Sequence, residues 1–347
     1  MVVTVWKRRR SDRRVDSTLM DPLIPFGLAV SVLFAAACSS GESAPSPQTG
    51  GSGGSTGGTG GASTGGSAGE AGSSAGGAAG GHPTGGCDSL GPVTPLHFAA
   101  NGGGVSGGIW PPAAVGFNLA DVSSVDEANE LPAGVNALVW VGMCNGADAA
   151  FVSAVQPFAG NSRVFGFYLI DEPDPTGQYS PLCSAADLKA ESEWIHANIP
   201  GTKTFIVLMN MGSSSEPSFE NTYNPANSDI DLYGVDPYPC RVELAGCDYS
   251  MIAPAVTAAV ASGIPLAAIV PVYQAFGGGA YTTDTGGCYL LPPADQDRQI
   301  LIDWAAVVPS PSFDMVYSWG TQNGDEALSG SAELQQVFAL HNAGCGD

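Results

Sequence analysis

The chain has 347 residues and a formal net charge of −22, with 33 acidic against 11 basic side chains, and 44% of its residues are hydrophobic. Such an excess of negative charge repels phosphate backbones and anionic headgroups, so it argues against nucleic acid or anionic lipid as a partner. It suits a neutral or cationic ligand instead.

The first 37 residues have the organisation of an export signal. Six Lys and Arg side chains lie within residues 7–14, an apolar stretch runs from Pro22 to Phe34, and Ala35-Ala36-Ala37-Cys38 forms a small-residue cleavage site that resembles a bacterial lipobox. This pattern predicts a lipoprotein signal peptide over 1–37, with Cys38 lipidated at the mature N-terminus and anchored in a membrane. Ser39, in place of Asp, favours the outer membrane or cell surface. The alternative is a plain secretory peptide or an N-terminal membrane helix, although the stretch is shorter than the ~20 residues that a spanning helix needs.

Residues 38–86 are predicted to form a lipid-bearing cysteine followed by a disordered tether. This stretch is Gly, Ser, Thr and Ala with almost no large apolar side chain, so it cannot bury enough surface to offset its chain entropy. A Gly/Ser coil of this length has a root-mean-square span of about 35 to 40 Å.

Residues 87–347 have the length of one large single-core domain, which we expect to be monomeric. Without the signal the chain keeps five basic against 30 acidic side chains, a formal −25. Strand patterns alternate with helical patterns, which predicts an α/β fold of parallel βα units, a (β/α)8 TIM barrel. The predicted strands are 96–99, 115–119, 136–141, 164–170, 204–209, 230–235, 266–273 and 315–319; the predicted helices are 122–131, 147–158, 185–198, 251–262, 294–306 and 332–342. Ser184 is predicted to cap the third helix, and Gly263 to end the fourth.

The cysteines of an exported chain indicate disulfides. Cys144 and Cys183 follow neighbouring strands, Cys240 and Cys247 bracket a short loop, and Cys87 and Cys345 lie at the two ends of the domain; these pairs leave Cys288 over. Spacing alone does not fix the connectivity. A metal site is the alternative, but no Cys-x-x-Cys or His-rich cluster supports one, so we expect neither metal nor cofactor.

Two carboxylates follow the most apolar strand. Val164–Ile170 is apolar on both faces, as in a covered parallel strand, and ends in Asp171-Glu172-Pro173. In β/α barrels chemistry is done at this C-terminal mouth. Asp236 ends strand six in the same way, before Pro237, and strands of the same parity contribute to one inward layer. The alternative for each is an ordinary strand-end turn.

These positions predict catalytic roles. Burial among aromatic rings would raise the pKa of Glu172 and make it the general acid, with Asp236 ionised as base or electrostatic stabiliser. In an extended segment Asp171 would point away from Glu172, and we expect one of the two to be structural. Sugar rings stack on aromatic faces while their hydroxyls bind amides and acids, and strand ends offer such side chains: Trp140, Tyr168, Asn210, Tyr238, Tyr273, Gln274, Trp319 and Gln322. Each of these, taken alone, is also compatible with core packing. The long loop 277–291 after strand seven is either a lid over the ligand cleft or a loop without a functional role that is held by a disulfide.

Asp171-Glu172-Pro173 after strand four and Tyr317-Ser318-Trp319-Gly320 on strand eight resemble the (β/α)8-barrel glycoside hydrolases that carry an acid/base Glu and a Trp at these places. The same signatures, with Asp236-Pro237-Tyr238-Pro239 and Gln274-Ala275-Phe276-Gly277, are similar to a group of exported bacterial barrel lipoproteins. The first resemblance implies glycoside hydrolysis by two carboxylates, about 5 to 5.5 Å apart for retention or about 6.5 to 9.5 Å for inversion. It also implies a nucleophilic Glu at the end of strand seven, where this chain has Gln274.

The sequence therefore predicts a surface lipoprotein that hydrolyses an extracellular poly- or oligosaccharide, with Glu172 as general acid. One alternative is an inactive barrel that binds glycans or has a structural surface role, with Gln274 as the trace of lost turnover. Another is a substrate-assisted enzyme in which a sugar N-acetyl group replaces the missing nucleophile. No serine-hydrolase elbow and no P-loop occurs in the sequence.

Overall fold

The computed structural model of the protein describes residues 90–345. The predicted signal peptide, Cys38, the tether and Cys87 lie outside the described residues, so the domain boundaries drawn there stay predictions. None of the helices within 90–345 combines the length and hydropathy needed to cross a bilayer.

Eight parallel strands close into a barrel, which confirms the predicted fold class. Going round the barrel, the strands follow the order β1-β8-β7-β6-β5-β4-β3-β2, so that the first strand pairs with the last. The strands are β1 (His97–Ala99), β2 (Leu119–Val122), β3 (Asn136–Trp140), β4 (Val164–Ile170), β5 (Lys203–Val207), β6 (Leu232–Val235), β7 (Ile269–Gln274) and β8 (Asp314–Tyr317).

Seven α-helices accompany the strands: α1 (Val125–Glu130), α2 (Ala149–Val155), α3 (Ala185–Asn198), α4 (Pro225–Ser228), α5 (Ile252–Ala261), α6 (Ala294–Val307) and α7 (Ala332–Asn342). As predicted, the Ser184 hydroxyl caps α3 by accepting from the Asp187 amide at 3.1 Å, and Gly263, at φ 100°, follows the end of α5. Two short antiparallel ladders lie outside the barrel. One pairs Cys240–Arg241 with Gly246–Cys247, and the other pairs Phe276–Gly278 with Asp325–Ala327.

The prediction of the second strand was wrong. Residues 111–115 form a 3-10 helix because Pro111 and Pro112 suit a first helical turn and lack the amides that a strand would need. Gly116 ends that turn at φ 88°, and β2 starts only at Leu119. The strand therefore occupies residues that were assigned partly to the first predicted helix, and that helix begins later, after its cap Ser124.

Alternating side chains divide the apolar core into two layers. On β4, Phe167 and Leu169 pack in the layer that includes helix side chains, whereas Tyr168 packs in the layer inside the barrel. Aromatic rings fill the lower part of the interior: the fully buried Phe313 contacts Phe205 at a centroid distance of 5.0 Å, and Phe205 contacts Tyr168 at 4.7 Å. The lower part of the barrel interior is thus plugged by aromatic rings, as expected for a packed barrel core.

Two predicted disulfides form, Cys144–Cys183 and Cys240–Cys247. The first joins the loop after β3 to the start of α3, and the second joins the two strands of a short hairpin after β6. Cys345 and Cys288 are disulfide-bonded as well, so Cys288 is not the leftover thiol that the spacing suggested. Because Cys87 is not among the described residues, the pairing of Cys87 with Cys345 stays a prediction.

A buried carboxylate holds the seam where the barrel closes. Asp314, the first residue of β8, is bonded to His97 Nδ1 of β1 at 2.8 Å and to His341 Nε2 of α7 at 2.7 Å, and it accepts from the Tyr273 hydroxyl at 3.2 Å. Burial alone would raise the pKa of Asp314, but His97 and His341 hold it well below its usual range. The first strand and the last helix are therefore both hydrogen-bonded to one carboxylate of the last strand.

Replacing Asp314 with Asn should lower the free energy of unfolding at pH 7 by about 3 to 5 kcal/mol, the usual cost of removing one partner of a buried ionic network. A carboxyl with a lowered pKa stabilises the fold above its unfolded pKa and loses that contribution as the pH falls. The difference between the two proteins should therefore shrink between pH 4 and pH 2. Urea unfolding measures both values, and Asp126→Asn on exposed α1 is the matched control. A difference below about 1 kcal/mol at pH 7 would contradict this role.

Glu191 on α3 is a second buried acid with incomplete partners. One of its oxygens accepts from the Asn145 amide at 3.0 Å, and the other has no hydrogen-bond partner. Burial, with the nearby Asp187 and Asp148 adding to it, raises the pKa of Glu191 to about 8. The loop that carries Cys144 and Asn145 is thus held by a carboxyl that is protonated at neutral pH.

The Glu191→Gln protein should match the parent at pH 4 and be more stable at pH 9. A raised carboxyl pKa means that stability is full below the unfolded pKa and is lost as the pH rises toward about 8, and glutamine has no such loss. The gain at pH 9 should reach a few kcal/mol, since each pKa unit corresponds to about 1.4 kcal/mol. Chemical unfolding at the two pH values measures it, with Glu193→Gln on the exposed face of the same helix as control. Equal pH profiles for parent and variant would count against a protonated Glu191.

Candidate active site

A cavity of about 160 Å³ opens at the C-terminal mouth of the barrel. We call it the mouth cavity. Strand β8, the ends of β5 and β6, and the segments that follow β4, β5, β6 and β7 line it, and they contribute four carboxylates, one guanidinium and a set of aromatic rings. The charged residues are Asp171, Glu172, Asp236, Arg241 and Asp284; the rings are Phe219, Tyr238, Phe276, Tyr281, Tyr289 and Tyr317.

The end of β4 turns so that both of its acids face the cavity. The pairing of β4 with β5 shifts register between Tyr168 and Ile170, and Glu172 has φ 42°, a left-handed conformation that is unusual for a residue with a side chain. The segment is therefore not extended, and the expectation that Asp171 points away from Glu172 was wrong: both side chains line the mouth cavity. Strained backbone of this kind concentrates at functional sites.

Hydrogen bonds hold this turn in place. The Glu172 amide donates to the Val207 carbonyl at the end of β5, at 3.1 Å. The Tyr168 hydroxyl, from inside the barrel, donates to Asp171 Oδ1 at 2.5 Å. The two acids are thus fixed from below by the plug of the barrel and from the side by the next strand.

Asp236 follows β6 and reaches the same cavity, as predicted from its parity with β4. Its carbonyl accepts from the Tyr238 amide at 2.9 Å, which closes a tight turn across Pro237. The Tyr238 side chain acts to lower the pKa of the Asp236 carboxyl. The residues that the sequence analysis assigned to catalysis therefore meet in one place.

The acids shift each other's titration. Burial, and then the charge of Asp171, raise the pKa of Glu172 to about 8. Burial, and then the charges of Glu172 and Asp171, raise the pKa of Asp236 above its usual range, while hydrogen bonds from its own backbone and from Tyr238 act in the opposite direction. With a pKa of about 8, Glu172 retains its proton at neutral pH.

Aromatic rings form the opposite wall. Phe276, just after β7, contacts Tyr238, Tyr289, Tyr281 and Tyr317 at centroid distances of 4.9, 5.1, 5.2 and 5.2 Å. The hydroxyls of Tyr281 and Tyr317 lie 2.9 Å apart. The wall is thus apolar at its centre and carries hydroxyl groups around it.

Three loops are fastened together across the entrance. Arg241, from the hairpin after β6, donates to Asp284 at 2.6 Å, and Asp284 also accepts from the Ser214 amide at 2.9 Å and the Ser214 hydroxyl at 2.5 Å. Although burial opposes it, these bonds from Ser214 and Arg241 lower the pKa of Asp284 to about 2. The loop after β7 is therefore tied to the loops after β5 and β6.

The predicted sugar-contacting residues divide into two groups. Tyr238 and Asn210 line the cavity, although the Asn210 side chain is also bonded to Ser213, Gly212 and Ser218 of its own loop. The residues of the second group do not line the cavity. Tyr168 supports Asp171, Trp140 packs edge-to-face on Tyr168 at 4.8 Å, Trp319 packs on Phe117 at 6.1 Å, and Gln322 accepts from the Tyr281 hydroxyl at 3.0 Å.

Tyr273 and Gln274 are not placed to contact a ligand. Tyr273 has the outward parity of β7, as Val270 and Val272 fill the inside, so it is buried against α6 and α7. Gln274 is fully buried. Its Nε2 donates to the carbonyls of Cys240, Leu290 and Phe276 at 2.9, 3.0 and 3.3 Å, and its Oε1 accepts from the Cys240 amide at 2.8 Å. We call this set of bonds the Gln274 knot, which ties the hairpin after β6 to the loop after β7.

Sequence reasoning missed Tyr317, Phe276, Tyr281, Tyr289, Arg241 and Asp284. The alternation on β8 was the available signal for Tyr317, because Met315 and Tyr317 share one face and Val316 the other. The remaining five lie on loops and in the two short ladders outside the barrel, where the sequence carries no periodicity. Their convergence depends on loop paths that only the structure shows.

The only group of three metal-ligand side chains within 90–345 whose ligand atoms lie within 4.8 Å of one another is His97, Asp314 and His341, at the other end of the barrel. No sequence pattern points to this group, because His97 and His341 lie more than 200 residues apart in the chain. In the structure the two imidazoles bond the carboxylate directly, so the three residues form the seam network described above.

Comparisons with known proteins find only solved structures that align with the chain at low identity. No family model and no curated relative matches the chain. Solved structures that align with it include a fungal endo-beta-N-acetylglucosaminidase of glycosyl hydrolase family 18 (13% identity, 71% of this chain and 97% of that chain, TM-score 0.42) and a chitinase from Rhizomucor miehei (13%, 71% and 99%, 0.44). A spore cortex-lytic enzyme from Bacillus cereus aligns at 10% identity over 75% of this chain and 76% of that chain, with a TM-score of 0.45. Likeness at this level carries no argument about activity.

The Gln274 knot gives a test of whether this position is structural. Gln274→Glu removes the donors of three buried carbonyls and places a carboxylate against them, so the free energy of unfolding should fall by about 2 to 5 kcal/mol. Thermal or urea unfolding measures the loss. Gln299→Glu, partly exposed on α6, is the matched control. A stable Gln274→Glu protein would show that position 274 tolerates an acid, and that the knot contributes little.

Proposed function

We propose that the protein is a glycoside hydrolase in which Glu172 is the general acid and Asp236 the second carboxylate. The observation that carries the proposal is the meeting of two carboxyls, Glu172 with its pKa raised to about 8 and Asp236, in one aromatic-walled cavity at the barrel mouth. Two carboxyls whose environments separate their protonation states form the pair that glycoside hydrolysis requires.

The roles follow from the surroundings of each group. Glu172 retains its proton at neutral pH and donates it to the glycosidic oxygen as the bond to the leaving sugar breaks. Asp236 either activates a water molecule or stabilises the positive charge that develops on the sugar ring. Gln274 has no part in this chemistry, since all of its hydrogen bonds go to the backbone of neighbouring loops.

The size and walls of the cavity favour a small saccharide unit. Its volume of about 160 Å³ corresponds to about five water molecules, taking about 30 Å³ for each, and is below the ~300 Å³ of typical drug-sized pockets. One sugar ring with its hydroxyls is a ligand of this size. The apolar rings around Phe276 offer a stacking surface, and the hydroxyls of Tyr281 and Tyr317 offer hydrogen bonds.

The place of action that we propose rests on the sequence alone. The lipobox-like Cys38 and the Gly/Ser tether would anchor the barrel at the outer membrane or cell surface, as in the exported lipoproteins whose motifs it shares. Palmitate labelling of the parent and of Cys38→Ser, expressed in a bacterial host, tests this anchor.

Glu172→Gln should lower kcat/KM for a cleaved oligosaccharide by about a hundredfold to ten-thousandfold, the usual contribution of a positioned general acid. Because the acid must carry its proton, kcat/KM of the parent should fall as the pH rises through about 8. A screen of neutral, N-acetylated and amino oligosaccharides with the full chain identifies the substrate, and the pH profile is then measured on it.

Two controls make this test decisive. Glu130→Gln, exposed on α1, has the same chemical change and should retain the parent activity, and unfolding curves should show that Glu172→Gln is folded. Equal hydrolysis by the parent and by folded Glu172→Gln would refute the assignment. Tight binding of a saccharide without any turnover would instead support a glycan-binding barrel.

A further inference from the structure

One carboxylate joins three loops at the entrance of the mouth cavity. Asp284, in the loop after β7, accepts from the amide and the hydroxyl of Ser214 in the loop after β5, at 2.9 and 2.5 Å. It also accepts from Arg241, in the hairpin after β6, at 2.6 Å. All three residues line the cavity. We call these bonds the Asp284 strap.

Further contacts hold the strap beside the hairpin. The Arg241 side chain is only 7% exposed, and its guanidinium lies over the Tyr289 ring at 5.7 Å from the centroid. The hydroxyls of Thr283 and Thr285 donate to Glu243 at 2.6 and 3.0 Å. A charge-assisted bond from a buried guanidinium is stronger than an exposed ion pair, so the strap is a fixed part of the entrance.

The loop after β7 is also fastened on its other side. The hydroxyls of Tyr281 and Tyr317 lie 2.9 Å apart, and the Tyr281 hydroxyl donates to Gln322 at 3.0 Å. Phe276–Gly278 pairs with Asp325–Ala327 in the second short ladder. Bonds therefore connect the segments after β5, β6, β7 and β8 into a continuous barrier along one side of the cavity.

The space behind this barrier is that of one sugar ring. The cavity of about 160 Å³ also contains the two carboxyls of the proposed reaction, Glu172 and Asp236. These carboxyls must flank the glycosidic bond that breaks, so the ring that carries the reacting anomeric carbon lies in the cavity with them. A second ring on the far side of the first has no room there.

We infer that the mouth cavity receives the non-reducing terminal unit of a saccharide chain, and that the Asp284 strap is the barrier that excludes internal units. This inference rests on the proposed function and names the part of the substrate that is cleaved. An internal ring is joined through its anomeric carbon to the leaving unit and through one of its hydroxyls to the next unit toward the non-reducing end. Since only one ring fits, that hydroxyl must be free.

The reaction then shortens the chain from its end. The bond between the anomeric carbon of the terminal ring and the glycosidic oxygen breaks, the oxygen takes a proton, and the hydroxyl of a water molecule is added to the anomeric carbon. The products are one monosaccharide and a chain that is shorter by one unit.

The first products of hydrolysis test the inference. The substrate found in the screen is used as a tetramer whose reducing end has been reduced to the alditol. We expect the parent to release the monosaccharide and the trimer alditol before any dimer appears. A 4,6-O-benzylidene group on the non-reducing terminal unit adds a ring that clashes with the barrier, and should lower kcat/KM by at least about a hundredfold. Dimer as the first product, or equal rates for the free and the blocked tetramer, would overturn the inference.

Binding without turnover separates this inference from the assignment of Glu172. Calorimetry with Glu172→Gln compares the free and the blocked forms of the glucose tetramer and of the N-acetylglucosamine tetramer. We expect the free form to bind at least about tenfold more tightly than the blocked form. Equal affinities would overturn the inference even if the parent hydrolyses the tetramer. Binding that depends on a free end, without any turnover by the parent, would support the terminal-unit cavity and refute the hydrolase.

Asp284→Ala tests the strap itself. The change removes the acceptor shared by Ser214 and Arg241, so the blocked tetramer should bind to within about threefold of the free one. Glu193→Ala, the same kind of truncation on the exposed face of α3, should keep the selectivity of the parent. Near-ultraviolet circular dichroism checks that each variant keeps its packing. Undiminished selectivity in folded Asp284→Ala would show that the strap is not the barrier.

Discussion

The constraint on which the site depends is the confinement of like charges away from water. Asp171, Glu172 and Asp236 are placed at the ends of β4 and β6, above a barrel interior that aromatic rings such as Tyr168 and Phe205 help to fill, so the charges cannot separate and solvent screens them poorly. The response of the molecule is to retain a proton on Glu172. This protonation state arises from burial and from the neighbouring charge of Asp171.

The rest of the fold keeps these charges from relaxing. The left-handed turn at Glu172 and the bond from Tyr168 fix the β4 end, while the Gln274 knot and the Arg241–Asp284 pair hold the loops that close the wall. If these loops were free to open, water would enter and the pKa of Glu172 would return toward its ordinary range. These polar groups therefore influence the pKa of Glu172 through the geometry that they impose on the site.

The sequence was sufficient to predict the parts of the structure in which apolar side chains recur at a regular interval. The apolar run of β4, the caps of α3 and the parity of β4 with β6 led to the barrel and to Glu172 and Asp236. Two failures have physical reasons. Gln274 was interpreted from the amino acid expected at its position, whereas its burial depends on a hairpin 34 residues earlier. Tyr317 was overlooked in favour of Trp319, although the inward parity of β8 belongs to Tyr317 and Met315. Loop residues such as Asp284 follow no pattern, and their contacts arise only when three connections converge.

The seam network at Asp314 has a consequence for how the molecule is made. The carboxylate joins a residue near the start of the described fold, His97, to one near its end, His341. A ribosome delivers the chain in order, so this contact exists only after His341 has emerged. The full seam network of the ring therefore forms later in synthesis than the pairing of β1 with β8 requires.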